Sequence, residues 1–429
     1  MRLTLPELDC SEGFTNENDI FNRKKLSEKI ERIISTCDDE SLVLALNDQW
    51  GNGKTTFLRM WENEIKKADN FNVIYFDAFQ NDFQNDPFIA ISSYIYTIIE
   101  KPQLKEKYLE ATKRVATVLL KTTLKVGISA LTLGAVKGTE LQDAGDDIKD
   151  AINDPIEKYI EDKITQHEQE NLTIEKFRSV LSEIAQDKKL IFIIDELDRA
   201  RPNYSLELLE RIKHVFYTKN IFFILSINKE QYKSIIKKTY GEIDTETYLN
   251  KFIHLWFTLP KIDTPETKKH TLNIYLNYIN RKLEHEYELG SAIQNLTYLL
   301  KVNNCSLRDA ERCFSQLLIA NAVYNKGCRW ELQVGLSIIV FLQQKHGDTI
   351  NRLKNKNITQ DELLSLLRIP NTVDKETQYL HAAINTEFMT EEEYAKAKNS
   401  KTIPLFNDYF QKPNTLTWAI EIIDDLSTP

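Results

Sequence analysis

A glycine-rich stretch between two hydrophobic segments most constrains how this chain can fold. Residues 41–46 read SLVLAL, a nearly continuous apolar run that is typical of a parallel strand buried on both faces. NDQWGNGKTT follows at residues 47–56, and FLRMW at residues 57–61 has helical character. A strand, a glycine loop and a helix in this order predict a phosphate-binding loop, in which backbone N–H groups and a helix N-terminus face an anion.

The loop supplies the residue types that phosphate binding needs. Gly51 and Gly53 let the backbone curl so that its N–H groups meet phosphate oxygens. Lys54 supplies a cation for the β- and γ-phosphates, and Thr55 supplies a hydroxyl ligand for Mg²⁺. Thr56 is placed to reach the α-phosphate. The predicted nucleotide-binding residues are Trp50, Gly51, Asn52, Gly53, Lys54, Thr55 and Thr56.

One position departs from the usual loop pattern. Asp48 stands where that pattern has its first glycine. Aspartate tolerates unusual backbone angles because its short side chain can form local hydrogen bonds. Since a carboxylate facing the phosphates would weaken binding, we expect the Asp48 side chain to point away from them.

A second apolar run, at residues 190–194, ends in two acids. A carboxylate at the carboxyl end of a neighbouring strand can hold Mg²⁺ beside Thr55, so Asp195 and Thr55 are the predicted metal ligands. Glu196 is placed to accept a proton from the attacking water. Alternatively, the acids simply end a strand and begin a turn, but the loop upstream favours a nucleotide site.

A third polar position follows the apolar run at residues 221–227. We predict that this run forms a strand between the loop strand and the acid strand, and that Asn228 at its tip orients the attacking water. The alternative is an ordinary turn residue, because asparagine is common in turns. Further strands are predicted at residues 71–76 and 252–259, and helical patterns lie between the strands, so we predict a parallel α/β sheet followed by a helical portion.

Composition excludes several classes of protein. Hydrophobic residues make up 42% of the chain and charged residues 28%, a mixture that can build a core. The net charge of −9 provides no global basic field for nucleic acid, although a local basic patch stays open. The five cysteines form no CxxC pair, which favours reduced thiols over a disulfide framework or a zinc site. The first residues soon become polar and acidic, so we expect a cytoplasmic protein without a signal peptide.

Residues 115–136 keep the membrane question open. They read VATVLLKTTLKVGISALTLGAV, and Lys121 and Lys125 interrupt the apolar character. A membrane-spanning helix needs about 20 mostly apolar residues, so we favour a buried or partner-facing helix. A monotopic contact with the inner membrane through residues 115–136 is the alternative.

Together these motifs resemble the KAP family of P-loop NTPases. The matching stretches are WGNGKTTFL at 50–58, FIIDELDRARP at 192–202, YLNKFIHLWFTLP at 248–260 and CSLRDAERCF at 305–314. Residues 19–34, DIFNRKKLSEKIERII, resemble the first helix of that family. The resemblance implies an α/β fold of the additional-strand (ASCE) type of P-loop NTPase, with a five-stranded, mostly parallel sheet.

The resemblance also implies an organisation of the chain. It places a helical insertion after the second strand and a helical lid after the core. The implied segments are residues 1–100 and 176–262 for the two parts of the core, 101–175 for the insertion, 263–340 for the lid and 341–429 for a C-terminal helical region.

An ATPase activity follows from the same resemblance, with ATP and Mg²⁺ as cofactors and a conformational or assembly switch as the function. Arg308 is implied to touch the γ-phosphate from the lid, and Arg199 to stabilise charge within the chain or in a neighbouring subunit. The alternative for each arginine is a salt bridge. Glu196 stands where the family often has aspartate and keeps the proton-accepting role.

Two rival functions stay open at the level of sequence. One is a signalling scaffold that binds nucleotide with little turnover, which the departure at Asp48 suggests. The other is a membrane-associated assembly factor, which residues 115–136 suggest. Because the family is common in bacteria, including mobile elements and phage-exclusion loci, anti-phage defence is an implied process, and a homo-oligomer or a protein effector is an implied partner.

Overall fold

Five strands form where the sequence has its five apolar runs. The computed structural model describes residues 8–38, 40–84, 86–132, 147–264, 269–283, 287–324, 330–399 and 412–425. The strands are β1 (Leu42–Asn47), β2 (Asn72–Asp77), β3 (Leu190–Asp195), β4 (Ile221–Ile227) and β5 (Leu255–Thr258). They pair in the order β2-β3-β4-β1-β5, and every pair is parallel. The predicted five-stranded sheet is confirmed, and β4 lies between the loop strand and the acid strand, as predicted.

Nine helices of the described residues surround this sheet or extend from it. They are α1 (Lys24–Thr36), α2 (Lys54–Ala68), α3 (Ala78–Asn81), α4 (Pro87–Ile98), α5 (Pro102–Thr132), α6 (Asp147–Ile184), α7 (Pro202–Arg211), α8 (Lys229–Tyr240) and α9 (Thr245–Asn250). A π-helical turn at Ile212–Phe216 continues α7. Each connection between parallel strands must run back over one face of the sheet, usually as a helix. In this sheet such helices cover both faces.

Alternate residues of each strand feed two separate cores. Val43 and Phe223 pack on one face with residues of α4 to α7, including the buried Phe177. Leu44 and Phe222 pack on the other face with residues of α1 and α2. Every residue of β3 and β4 is buried, as expected for central parallel strands with both faces covered. The carboxyl ends of these strands therefore meet at one rigid edge.

Beyond β5, a short hairpin of β6 (Asp263–Thr264) and β7 (Lys269–His270) precedes a helical region. Its helices are α10 (Thr271–Lys282), α11 (Gly290–Val302), α12 (Leu307–Tyr324), α13 (Trp330–Lys345), α14 (Gly347–Lys354), α15 (Gln360–Leu366), α16 (Gln378–Phe388), α17 (Glu391–Asn399) and α18 (Thr415–Asp425). One apolar cluster joins residues from α10 to α18. The division into segments stays a prediction, and α6 and α13 each run across one of its boundaries.

Between β2 and β3, helices α5 and α6 contact each other. Tyr108 and Val115 of α5 are buried in the same core as Phe177 of α6. Residues 133–136 of the apolar segment lie outside the described residues. Within the described ranges, no helix has both the length and the hydropathy of a membrane span.

Candidate nucleotide-binding site

The loop between β1 and α2 needs glycine at two positions. Gly51 has φ of 84° and Gly53 has φ of 83°, a left-handed conformation that side chains with a Cβ rarely adopt. Gly53 directly precedes the first residue of α2. The backbone therefore turns sharply at the N-terminus of α2, where a helix offers unpaired N–H groups to an anion.

Lys54 is folded into the loop. Its Nζ donates to the carbonyl oxygens of Asp48, at 2.7 Å, and Gln49, at 3.3 Å. Burial lowers the pKa of the Lys54 ammonium, while the nearby carboxylates of Asp198 and Asp48 oppose that shift. The loop carbonyls thus hold a buried cation beside the helix N-terminus.

Asp48 is bonded within the loop. Its Oδ1 accepts from the backbone N–H of Gln49, at 2.7 Å, and from Nδ2 of Asn52, at 2.5 Å. The other end of the Asn52 side chain, Oδ1, accepts from the backbone N–H of Leu307, at 3.3 Å. Asp48 therefore orients Asn52, and Asn52 joins the loop to the first residue of α12.

Asp195 ends β3 and is almost completely buried, with 1% of its surface exposed. Its Oδ2 accepts from the Tyr75 hydroxyl at 2.5 Å, and its Oδ1 accepts from the Glu196 backbone N–H at 2.8 Å. Burial first, and then the adjacent Asp195 charge, raise the pKa of Tyr75 far above its usual range. The Tyr75 hydroxyl therefore stays protonated and donates a hydrogen bond to the carboxylate.

Glu196, at the carboxyl edge of the sheet, has a left-handed backbone conformation with φ of 57°. A non-glycine residue in this region costs of order 1–3 kcal/mol, and such strain concentrates at functional sites. Its Oε1 accepts from the Thr55 hydroxyl at 3.3 Å. Its Oε2 forms an ion pair with Arg199 at 2.7 Å, which is the salt-bridge alternative considered for that arginine.

Asp198 joins three elements at the same edge. Its Oδ2 accepts from the indole Nε1 of Trp50, at 2.7 Å, and from the backbone N–H of Asn228, at 2.7 Å. Burial raises the pKa of the Asp198 carboxyl above its usual value. The loop, the segment after β3 and the start of α8 are thereby fixed relative to one another.

A cavity of about 900 Å³ lies above these groups. The predicted site residues that line it are Trp50, Gly51, Gly53, Lys54, Thr55, Thr56, Asp195, Glu196, Arg199 and Arg308. The structure thus brings the loop cation and the two strand-end acids together. Asp48 is not among the lining residues, in agreement with the expectation that its carboxylate points away from the phosphates.

Two predicted site residues do not line the cavity. Asn52 is turned toward Asp48 and Leu307. Asn228 caps α8, where its Oδ1 accepts from the Gln231 backbone N–H at 3.4 Å. Ser226, two residues earlier on β4, lines the cavity instead, and its buried Oγ has no hydrogen-bond partner among the described residues.

A family model described as the KAP family P-loop domain matches residues 23–324. The chain belongs to this family. The fold is accordingly that of a P-loop NTPase, and the first and last matched residues, Arg23 and Tyr324, enclose the loop, the acid strand and the Arg308 segment. Among curated proteins, no sequence matches this chain.

Solved structures resemble the chain over most of its length at low sequence identity. Cdc6p from Pyrobaculum aerophilum has a TM-score of 0.40 and 11% identity, covering 98% of this chain and 98% of that chain. The Aeropyrum pernix ORC2 protein, as ADPNP and ADP complexes, has a TM-score of 0.36 and 11% identity, covering 99% and 87%. The replication initiator DnaA, bound to AMPPCP and single-stranded DNA, has a TM-score of 0.31 and 12% identity, covering 95% and 99%.

In this KAP domain the start of α12 is docked directly on the loop. The backbone N–H of Arg308 donates to the carbonyl oxygen of Gly51 at 3.1 Å. A Cβ on Gly51 would lie 2.6 Å from Cβ of Arg308, so the approach also requires glycine. The first turn of α12 and the phosphate-binding loop therefore cannot shift independently.

Part of the lining of the KAP cavity is aromatic. Phe14, Phe21, Tyr275 and Tyr278 line it, and the rings of Phe21 and Tyr275 lie 6.3 Å apart between centroids. Flat apolar faces of this kind suit a nucleobase, whereas the loop with Lys54 and Thr55 suits phosphates.

The oxygen ligands of the KAP site fit a magnesium ion. The Thr55 hydroxyl and the Asp195 carboxylate both line the cavity, and each Asp195 oxygen keeps a lone pair beside the hydrogen bond it accepts. The described residues hold no group of three or more His, Cys, Asp or Glu side chains that could bind a metal alone. A Mg²⁺ ion needs no such group, because it takes one or two protein carboxylates and completes its shell with water and phosphates.

Sequence reasoning missed four groups of this site. Tyr75, Asp198, Ser226 and Arg23 all contact or line it. Asp198 had a signal, since it is the third acid of the stretch DELD. Tyr75 lies two residues before the end of β2, on the same face as Asp195, and only the pairing of β2 with β3 reveals that proximity.

Proposed function

We propose that this KAP domain binds ATP with Mg²⁺, hydrolyses it, and uses the nucleotide state as a conformational or assembly switch. The observation that carries this proposal is the shared cavity of Lys54, Thr55, Asp195 and Glu196 at the carboxyl edge of the sheet. A cation, a hydroxyl and two carboxylates around one hollow are the groups that phosphoryl transfer to water requires. ATP is the proposed nucleotide because the chain has no Asn-Lys-x-Asp motif for guanine.

Each side chain has a proposed role. Lys54 leaves the loop carbonyls and binds the β- and γ-phosphates, which are stronger partners for a buried cation. Glu196 accepts a proton from the attacking water, and Arg308 stabilises charge on the transferred group from the lid. Thr55 and Asp195 hold Mg²⁺, which when bound neutralises phosphate charge.

The water-orienting role belongs at the carboxyl end of β4. The sequence assigns it to Asn228, whose side chain caps α8. Ser226 has a buried hydroxyl free to bond a water in the cavity, so we place the role with Ser226 and keep Asn228 as the group that fixes the strand tip.

The lid contacts support the switch. The Gly51 carbonyl and the Asn52 side chain hold the first two residues of α12, and the same loop must rearrange its N–H groups around phosphates. A change at the loop is therefore transmitted to α12. The proposed recipient is a second copy of the chain or a protein effector, and bacterial anti-phage defence is the process that the family suggests.

A steady-state ATPase assay with Mg²⁺ tests the proposal at several protein concentrations. We expect phosphate release by the wild-type chain, loss of nucleotide binding in Lys54→Ala, and retained binding without turnover in Glu196→Gln. Equal phosphate release by wild type and Lys54→Ala would overturn the proposed hydrolysis. A rate per subunit that rises with concentration would show that assembly is part of the switch.

A nucleotide-binding scaffold with little turnover is the second candidate. The Glu196–Arg199 ion pair favours it, because Arg199 occupies one of the two carboxylate oxygens that the attacking water would have to approach. Tight nucleotide binding with no phosphate release, in the wild type and in Arg199→Ala alike, would establish the scaffold. Phosphate release that appears only in Arg199→Ala would show that the ion pair restrains a competent catalyst.

A further inference from the structure

Arg23 is a buried cation with few partners. It is 7% exposed, and its guanidinium lies over the Phe21 ring, 4.5 Å from the centroid. Its Nη1 donates to the carbonyl oxygen of Asn52 at 3.1 Å. Its Nε is buried and has no hydrogen-bond partner in the described part of the chain. A guanidinium has five N–H donors, so most of its capacity for hydrogen bonding is unused by the protein.

The charge of Arg23 is also incompletely balanced. Among the described residues no carboxylate forms an ion pair with it, and Asp48 and Asp19 attract it only from a distance. Burial lowers its pKa to about 10 despite these two carboxylates. Because buried charges in proteins are normally paired and hydrogen-bonded, this guanidinium lies where an anion is expected.

The position of Arg23 identifies that anion. A Cβ on Gly53 would lie 3.0 Å from its Nη1, so the guanidinium touches the loop just before the first residue of α2. Arg23 lines the cavity together with Lys54 and Thr56. It stacks on Phe21, one of the aromatic lining residues, whereas Thr55 hydrogen-bonds Glu196. Arg23 therefore lies between the loop and an aromatic residue, where the phosphates closest to a bound base would lie.

We propose that Arg23 is a second phosphate-binding cation, which contacts the α- and β-phosphates that ADP and ATP share. The proposal rests on nucleotide binding at the loop and adds a residue that the loop motif does not contain. The phosphates supply the acceptors that the free guanidinium donors lack, in a buried setting where hydrogen bonds to charged groups are strong. Arg308 differs from Arg23 in this respect, because its proposed contact is the γ-phosphate alone.

Calorimetric titration with ADP and with a non-hydrolysable ATP analogue tests the assignment. We expect Arg23→Met to weaken both ligands by a similar factor of about 10–100, the equivalent of one or two charged hydrogen bonds. Arg23→Lys, which keeps a positive charge, should recover part of the affinity. Lys24→Met is the matched control, because Lys24 is the next residue, pairs with Glu64 and does not line the cavity.

The outcomes separate this proposal from the proposed function. Wild-type affinity for ADP in Arg23→Met would overturn the Arg23 assignment and leave nucleotide binding intact. A loss confined to the ATP analogue would also overturn it, since the contact would then be the γ-phosphate. Wild-type protein that binds neither ligand would overturn both proposals. Thermal unfolding of each variant without ligand shows whether the substitution causes a general loss of structure. If Arg23→Met is destabilised in this way, the ligand affinity of Arg23→Lys is compared with that of the wild type instead.

Discussion

The Tyr75 hydroxyl donates to Oδ2 of Asp195 at 2.5 Å, between neighbouring strands of the sheet. The Arg59 guanidinium lies 3.3 Å from the Tyr75 ring centroid and covers its outer face. Arg59 thus holds the ring of Tyr75 in place, and the hydroxyl of Tyr75 holds the Asp195 carboxylate. A carboxylate held in this way presents its remaining lone pairs in one direction, which is what a metal ligand requires.

Tyr75→Phe should weaken Mg²⁺ binding by the proposed ATPase more than it weakens nucleotide binding. Removing a hydrogen bond to a ligand typically costs 10- to 100-fold in metal affinity, so the half-maximal Mg²⁺ concentration should rise about tenfold or more. Titrating Mg²⁺ at saturating ATP measures this shift. Tyr240→Phe is a suitable control, because the exposed hydroxyl of Tyr240, at the end of α8, donates to Glu210 of α7. An unchanged Mg²⁺ dependence in Tyr75→Phe would refute the positioning role.

Asp48→Gly restores the usual loop pattern and should nevertheless destabilise the protein. The Asn52 amide loses the acceptor that orients it, and a buried donor left unsatisfied costs about 1–3 kcal/mol. Chemical denaturation without nucleotide measures the loss. Asp48→Asn keeps an acceptor oxygen and should retain more of the stability. If Asp48→Gly unfolds at the wild-type denaturant concentration, Asp48 has no structural role in the loop.

Gly51→Ala should separate the first turn of α12 from the loop. The new methyl would meet Arg308 and the φ of 84° would be strained, so we expect a loss of about 1–3 kcal/mol in the free energy of unfolding. Hydrogen exchange at the first amides of α12 should become faster. In Gly347→Ala, where a Cβ meets nothing within 4 Å, stability should change by less than about 0.5 kcal/mol. Normal protection of α12 in Gly51→Ala would contradict the docking.

Asp198 predicts a pH dependence of stability that Asp198→Asn should remove. Burial raises the pKa of this carboxyl in the folded protein, so between the unfolded value of about 3.9 and the higher folded value the native state binds more protons. The contribution of Asp198 to stability is then full below the unfolded pKa and decreases as pH rises through the folded pKa. Urea denaturation from pH 4 to pH 7 should show this decrease as a difference between wild type and variant. A constant difference across that range would exclude a shifted carboxyl.

Substitutions at the end of β4 should separate catalysis from capping. Ser226→Ala should lower turnover with little change in nucleotide affinity, because Ser226 lines the cavity and its buried hydroxyl has no hydrogen-bond partner among the described residues. Asn228→Ala should lower the free energy of unfolding by about 0.5–2 kcal/mol through loss of a helix cap. Single-turnover kinetics and thermal unfolding of both variants provide the comparison. Loss of turnover in Asn228→Ala alone would return the water-orienting role to Asn228.

The sheet and the loop could be predicted because their signals are local. The run at 41–46 and the glycines at 51 and 53 determine a strand and a left-handed turn without reference to distant residues. The meeting of Lys54 with Asp195 then follows from parallel strands, whose carboxyl ends share one edge. These features required only the order of elements along the chain.

The polar groups that complete the site could not be predicted in the same way. Arg23 precedes α1 and reaches the loop only through the packing of that helix on the sheet. Asn228 looked like a cavity residue from its position after β4, but the first turn of α8 offered its side chain a nearer N–H donor. Local competition for a hydrogen bond of this kind decides where a side chain points, and the sequence pattern does not reveal its outcome.

The apolar cluster that unites the helical region has a mechanical consequence. Phe21 belongs to this cluster together with Phe314 of α12 and Leu416 of α18, so the segment just before Arg23 and the far C-terminal helix share one core. Close-packed interiors transmit displacement and do not absorb it. A displacement of the first turn of α12 would therefore be passed to the whole cluster, including α18, which contacts α12 directly.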